Sequence, residues 1–211
     1  MKNIIFVAPP AAGKGTQSDI LVKKFNYDHI STGDMLREEI ASGSALGMSV
    51  KNIIDNGGLV TDDIMINLIK NRLNKLEGRP FILDGFPRTL IQAETLHDIL
   101  TDDYQVIYLE LSEEIARRRI LGRITCACGR SYNLYDDDLK PQNEGVCDEC
   151  GAKLIKRNDD NEESFNNRYR VFIENTKPII DYYNKLNKLI IIDASKDVNT
   201  ITELVTKAIE K

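Results

Sequence analysis

Nine residues, Ala8-Pro9-Pro10-Ala11-Ala12-Gly13-Lys14-Gly15-Thr16, lead from the apolar stretch Asn3 to Val7 into a helical pattern at 15–25. A loop of small residues opening a helix turns backbone N–H groups and the helix N-terminus toward an anion, and Lys14 is spaced to reach terminal phosphates. The general phosphate-loop pattern has glycine at position 8 and a hydroxyl at 15, whereas this chain has Ala8 and Gly15. If Ala8 or Ala11 takes a positive φ or approaches a phosphate closely, its methyl costs energy or space. Without a hydroxyl at 15, a Mg²⁺ ion would be held by phosphates, waters, Thr16 and Asp84.

A second chemical segment, Asp84-Gly85-Phe86-Pro87-Arg88-Thr89, follows the apolar run Pro80 to Leu83. An acid at a strand end suits Mg²⁺ or its waters, and Arg88 suits phosphate. Arg37, Arg88, Arg119, Arg123, Arg157 and Arg168 lie beside such segments and not on random helix faces. Phosphoryl transfer needs no protein nucleophile, only two phosphates in line and cations against the developing equatorial charge. Any one of these arginines taken alone is a solvated surface residue. His29 and His97 fall outside every such segment and read as structural or surface residues.

All four cysteines lie between Cys126 and Cys150, as Cys126-Ala-Cys128 and Cys147-Asp-Glu-Cys150. Two tight turns carrying thiolates suit a closed, structural tetrahedral Zn²⁺ site. The alternatives are a metal-free segment with reduced thiols and a three-sulfur site completed by another side chain.

The elements that must position these residues are a parallel sheet and its helices. Strands are predicted at Asn3 to Val7, Pro80 to Leu83, Gln105 to Leu111 and Leu189 to Asp193, with a weaker one at Tyr27 to Ile30. Helices are predicted at 15–25, 34–42, 62–76, 89–100, 112–122, 161–186 and 198–210. This alternation predicts an α/β fold, a doubly wound parallel five-stranded sheet with helices on both faces and ligands at the carboxyl ends of its strands. The stretch 123–160 interrupts it as an inserted subdomain too poor in aliphatic residues to build a core.

With 211 residues, 42% of them hydrophobic, the chain is expected to form one core with small insertions. A net charge of −5 offers no basic footprint for nucleic acid, so an anionic ligand must be drawn by a local cluster. No apolar run approaches the roughly 18–20 residues of a membrane helix. A soluble cytoplasmic protein is the expectation.

Together these segments resemble the adenylate kinase family, in its zinc-lid, long form. Ile30-Ser-Thr-Gly-Asp-Met-Leu-Arg37 resembles the family's monophosphate-binding segment, and Gly58-Leu-Val-Thr-Asp62 the end of that subdomain. Asp84 to Thr89 with Gln92 is similar to its central signature, Arg119 to Arg123 to the start of the lid, and Arg157 to Glu163 with Arg168 to its end. The resemblance implies a core of 1–30, 61–122 and 161–211, a monophosphate-binding helical insertion at 31–60 and a zinc-ribbon-like lid at 123–160. It implies reversible phosphoryl transfer from Mg-ATP to AMP, giving two ADP, by a monomer. Lys14, Arg88, Arg123, Arg157, Arg168 and Asp84 would act at the transfer site. Pro10, Ala11, Ala12, Gly13, Lys14, Gly15, Thr16, Arg119 and Arg123 would hold ATP. Thr32, Arg37, Leu59, Val60, Gly85, Arg88, Gln92, Arg157 and Arg168 would hold AMP. Cys126, Cys128, Cys147 and Cys150 would bind zinc. The family loop reads Gly-x-Pro-Gly-x-Gly-Lys-Gly-Thr, so Ala8 and Ala11 replace two of its glycines. The family's zinc lids carry Cys-x-x-Cys in both turns, and Thr125 stands where the first cysteine is expected. A UMP or CMP kinase of the same fold is an alternative, opposed by Thr32 and the long lid. A nucleotide sensor of weak catalysis is another, motivated by the alanines and opposed by the arginine set. A zinc-ribbon nucleic-acid binder fits only the cysteines.

Overall fold

The computed structural model describes residues 2–100 and 104–210. Its centre is β1 (Asn3–Val7), whose alternate residues feed two cores: Ile5 and Val7 face one, Ile4 and Phe6 the other. A strand buried on both faces has no polar side to alternate with, which is why it reads as a continuous apolar run. Parallel neighbours complete the sheet in the order β2-β3-β1-β4-β7, with β2 at Asp28–Ser31, β3 at Phe81–Asp84, β4 at Tyr104–Glu110 and β7 at Leu189–Asp193. All five predicted strands are thus present, and β1 lies between two non-consecutive neighbours, where loops diverge and ligands bind.

Helices α1 (Lys14–Phe25), α4 (Asp62–Asn74), α5 (Leu90–Leu100), α6 (Glu113–Leu121) and α9 (Val198–Ile209) agree with the predicted ones to within a few residues. The insertion holds two helices, α2 (Thr32–Ser42) and α3 (Ala45–Asp55), where the periodicity showed one. Helix α3 begins at Ser44, whose hydroxyl accepts the Gly47 N–H at 2.9 Å. Gly47 lets it approach α2: a Cβ there would lie 2.1 Å from the Glu39 carbonyl oxygen.

The predicted helix 161–186 is interrupted. Helix α7 (Glu162–Val171) passes through a π turn at Phe172–Thr176 into α8 (Pro178–Lys185). Pro178 has no N–H for the preceding turn, and the Lys177 N–H bonds five residues back to the Phe172 carbonyl at 2.8 Å. The wider turn lets the Thr176 hydroxyl donate to the Arg88 carbonyl at 3.0 Å, tying this helix to the strand-end loop. In the lid, β5 (Arg123–Thr125) and β6 (Ser131–Asn133) form an antiparallel hairpin that the sequence reading left without strands.

Candidate active site

The phosphate loop leaves the end of β1 and enters α1 through two left-handed residues, Ala11 at φ 57° and Gly13 at φ 92°. An added Cβ at Gly13 would touch nothing within 4 Å, so glycine serves conformation there and not space. Ala11 takes the costly option foreseen for it, at ~1–2 kcal/mol, while Ala8 is not among the positive-φ residues. Across the loop, an added Cβ at Gly15 would be 3.9 Å from Asp84 Oδ2.

Burial pulls the Lys14 ammonium down to about 8, against the opposing pull of Asp84 and with added repulsion from Arg88, Arg168 and Arg123. Asp84, at the end of β3, is pushed upward by burial, but contact with His29 and the charge of Lys14 outweigh that and hold it below its usual range. His29 Nε2 lies 3.7 Å from Asp84 Oδ2 and its Nδ1 lies 3.9 Å from Asp19. His29 therefore belongs to the site's surroundings, a correction to its reading as a residue apart. The signal was topological: parallel pairing of β2 with β3 sets His29 beside Ile82, two residues before Asp84. His97, by contrast, is structural, its Nδ1 2.8 Å from the Tyr104 hydroxyl.

Four of the arginines crowd the same space. Arg123 binds the fully buried Asp160 with two nitrogens, the Nε bond at 2.8 Å, and Arg168 Nη1 lies 3.0 Å from Asp159 Oδ2 and 3.5 Å from Asp160 Oδ1. Arg168 is lowered to about 10 by burial and then by Arg123, with Arg88 adding to the repulsion and the two aspartates opposing it. Arg157 is lowered to about 10 by burial, then by Arg123 and Arg37. Arg88 is oriented by its own loop, its Nε donating to the Gly85 carbonyl at 2.7 Å. Arg119 stands apart, its Nη1 donating to the Ala194 carbonyl at 2.9 Å beyond β7. The chain thus gathers cations whose mutual repulsion the resident aspartates balance only in part. An anion of high charge would supply the remainder.

Two adjoining pockets open onto Lys14, Arg37, Arg88 and Arg168, while Arg123 and Arg157 line neither. One is lined by the loop residues Ala8, Pro10 and Lys14 and by Phe172 and Thr176 of the π turn. The other is lined by Thr32, Arg37, Leu59, Val60 and Gln92. Gly85, Arg88 and Arg168 line both, so the pockets meet at a pair of guanidinium groups. Gly57, absent from the sequence-based set, also lines both. At φ 72° it carries the insertion onto α7, where a Cβ would meet Arg168 Cγ at 2.5 Å.

In the lid the four cysteine sulfurs all lie within 4.8 Å of one another. Cys126 Sγ and Cys150 Sγ are 3.4 Å apart, and Cys128 Sγ and Cys147 Sγ 3.7 Å, too far for disulfides. A ZnS₄ tetrahedron with Zn–S near 2.3 Å has edges of about 3.8 Å, so the donor set fits a closed zinc site. The shortened pair reaches it because Gly129, at φ 96°, folds its N–H back onto the Cys126 carbonyl at 3.0 Å. Thr125 stays in the hairpin, with its N–H bonded to the Ile155 carbonyl at 2.8 Å. Tyr132 was not foreseen: its buried hydroxyl accepts the Asp148 N–H at 2.8 Å and lies 3.5 Å from Cys147 Sγ.

No helix among the described residues is long and apolar enough to cross a membrane. A family model described as adenylate kinase matches residues 6–188. A protein named adenylate kinase from Kosmotoga olearia is 45% identical over 214 residues, covering 99% of each chain. One of the same name from Thermosipho africanus is 45% identical, covering 99% of this chain and all of its own, and one from Archaeoglobus fulgidus is 43% identical, covering 99% and 98%. A match that spans the loop, the cation cluster and the cysteine lid, at this identity over the whole length, means that the chain belongs to the adenylate kinase family.

Proposed function

We propose that this enzyme moves a phosphoryl group reversibly between Mg-ATP and AMP, giving two ADP. The observation that carries the reading is the meeting of two pockets at Arg88 and Arg168, within the electrostatic reach of Lys14 and Arg123. The pocket beside the phosphate loop takes the triphosphate, with the loop N–H groups and Lys14 on its outer phosphates. The pocket bounded by Thr32, Leu59, Val60 and Gln92 takes AMP, with Arg37 and Arg88 on its phosphate. Arg119 flanks the ATP adenine. The AMP phosphate oxygen is already ionised, so no general base is needed, and the chain's work is alignment and charge stabilisation.

Arg123 and Arg157, at the two ends of the lid, bracket the transferring group, and closure of the lid over bound nucleotides completes their approach to it. Closure also removes water, the competing acceptor. Asp84, held ionised beside the loop, and the Thr16 hydroxyl are the groups that would hold Mg²⁺ or its waters, and the ion would supply charge neutralisation at the phosphates. The four lid cysteines would hold Zn²⁺ as a structural ion that substitutes for the missing lid core and takes no part in transfer. A monomer acting in the cytoplasm completes the reading.

A coupled assay of ADP formation from Mg-ATP with AMP, GMP, CMP or UMP tests it, alongside Lys14→Ala. Activity confined to AMP and lost in the variant is expected. No transfer to any monophosphate from folded, metal-loaded protein would leave a nucleotide-binding protein on a kinase fold.

A further inference from the structure

Gln92 is 2% exposed, and its side-chain amide is gripped from both ends. Its Oε1 accepts the Arg88 backbone N–H at 2.8 Å, and its Nε2 donates to Asp62 Oδ1 at 2.8 Å. The same Asp62 oxygen accepts from the Thr89 hydroxyl at 2.9 Å, and the Thr89 Oγ1 accepts the Gln92 N–H at 3.3 Å. A backbone N–H can only donate and a carboxylate can only accept. A flipped amide would set N–H against N–H at Arg88 and oxygen against oxygen at Asp62, so only one orientation is allowed.

The two bonds leave one acceptor direction on Oε1 and one hydrogen on Nε2, at a residue that lines the monophosphate pocket. That pair complements a 6-amino purine, whose exocyclic amino group donates beside a ring nitrogen that accepts. A 6-oxo purine presents an oxygen where the amino group stood and mismatches the fixed amide at either ring edge. Its ring N–H would need the amide turned over.

We propose that Asp62 is a specificity-determining positioning residue, which locks the Gln92 amide in the polarity that accepts AMP and rejects 6-oxo purine monophosphates. The proposal rests on the AMP reading of this pocket. Asp62 touches no substrate: it acts from the first turn of α4 through Gln92 and Thr89. Without it the amide keeps one of its two restraints, and the flipped state becomes accessible.

The test compares AMP with IMP as phosphoryl acceptor at fixed Mg-ATP, in wild type and in Asp62→Ala. Where IMP turnover falls below detection, IMP is measured as a competitive inhibitor against AMP. The AMP-to-IMP ratio of kcat/KM, or of affinity, is expected to fall about tenfold in the variant, the worth of one hydrogen bond, with KM for ATP unchanged. Asp62→Asn keeps an acceptor oxygen in place and is expected to retain the wild-type ratio. A ratio within twofold of wild type in Asp62→Ala, including an equal loss on both substrates, overturns the proposal and leaves Asp62 a structural residue. Wild-type protein without AMP activity would sink the reading of the pocket itself, a different result. If Asp62→Ala does not fold, Asp62→Leu, which keeps the volume, goes through the same comparison against the same criterion.

Discussion

The cations of the proposed transfer site and the thiols of the lid are both clusters of groups that repel one another when charged, but they are built in opposite ways. The cations come from positions as distant as Lys14 and Arg168 and are held by resident carboxylates, Asp84 behind the lysine and Asp159 and Asp160 behind the arginines. The thiols come from one short segment, and no cationic side chain is among the groups that set their charge. Backbone N–H groups favour the thiolates of Cys126, Cys128 and Cys150, yet burial and the neighbouring thiols outweigh them and push all three upward. Only Cys147, which the Tyr132 hydroxyl approaches, is pulled down, to about 6. A cluster with internal counter-charge stands ready when empty, and its ligand can come and go. One without it is expected to depend on its ligand for the fold around it.

The largest effect that can break this contrast is removal of metal. Apparent zinc-binding free energies of small sites are on the order of 10 kcal/mol, and the lid's buried cluster is little more than Cys126, Tyr132, Cys147 and Leu154. A chelator is therefore expected to expose residues 123–160 to protease while the sheet and its helices stay protected. Uniform protection after metal removal would show the lid to be stable by its own packing. Next, Lys14→Ala is expected to lower kcat about 10³-fold without lowering the melting temperature of the empty protein, because the ammonium is desolvated and repelled there. A melting temperature that fell with the activity would make this cation a structural member, like the thiols.

Smaller effects sharpen the contrast. Asp160→Ala leaves Arg123 without its partner and weakens the hold on Arg168, and is expected to cost about 3 kcal/mol in denaturant unfolding. Ala11→Gly relieves a left-handed alanine, but glycine's greater freedom in the unfolded chain offsets part of the gain. The net is about 0.5 kcal/mol of stabilisation, read as a small rise in melting temperature.

The smallest effect is in proton uptake. Lys14 binds its proton less tightly in the folded chain, at about 8, than in the unfolded chain near 10.5. The unfolded state then holds more protons between these values, so the stability of the empty protein rises with pH across that window. A bound triphosphate favours the ammonium again. Calorimetry at pH 8 in buffers of different ionisation enthalpy should show uptake of less than one proton per ATP, absent in Lys14→Ala.

The sheet was legible because strands buried on both faces must be apolar throughout, as β1, β3 and β4 read, and the edge strand β7 keeps the apolar run although Ile191 is exposed. Helix α3 was not: Gly43 and Gly47 bracket its start, and the close approach that makes Gly47 necessary is a contact with α2 that no local pattern reports. The π turn was hidden for a similar reason, since a helical periodicity running through 161–186 does not register one extra residue. Six arginines were legible as candidates from their places beside the motifs, but the same reading put His29 aside, because its proximity to Asp84 exists only through strand pairing.

The sequence by itself determined the residue types of the site. A loop of small residues with one lysine, arginines at segment ends and four cysteines in a single insertion admit little chemistry other than phosphate handling and metal ligation. What only the tertiary structure decided is which charges share a space and which way a dipole points. The ion pair of Arg123 with Asp160, the contact of His29 with Asp84 and the grip of Asp62 on Gln92 all arise where elements distant in the chain meet. Electrostatic and hydrogen-bond energies depend on separation in space over a few ångströms, and separation along the chain carries no record of it.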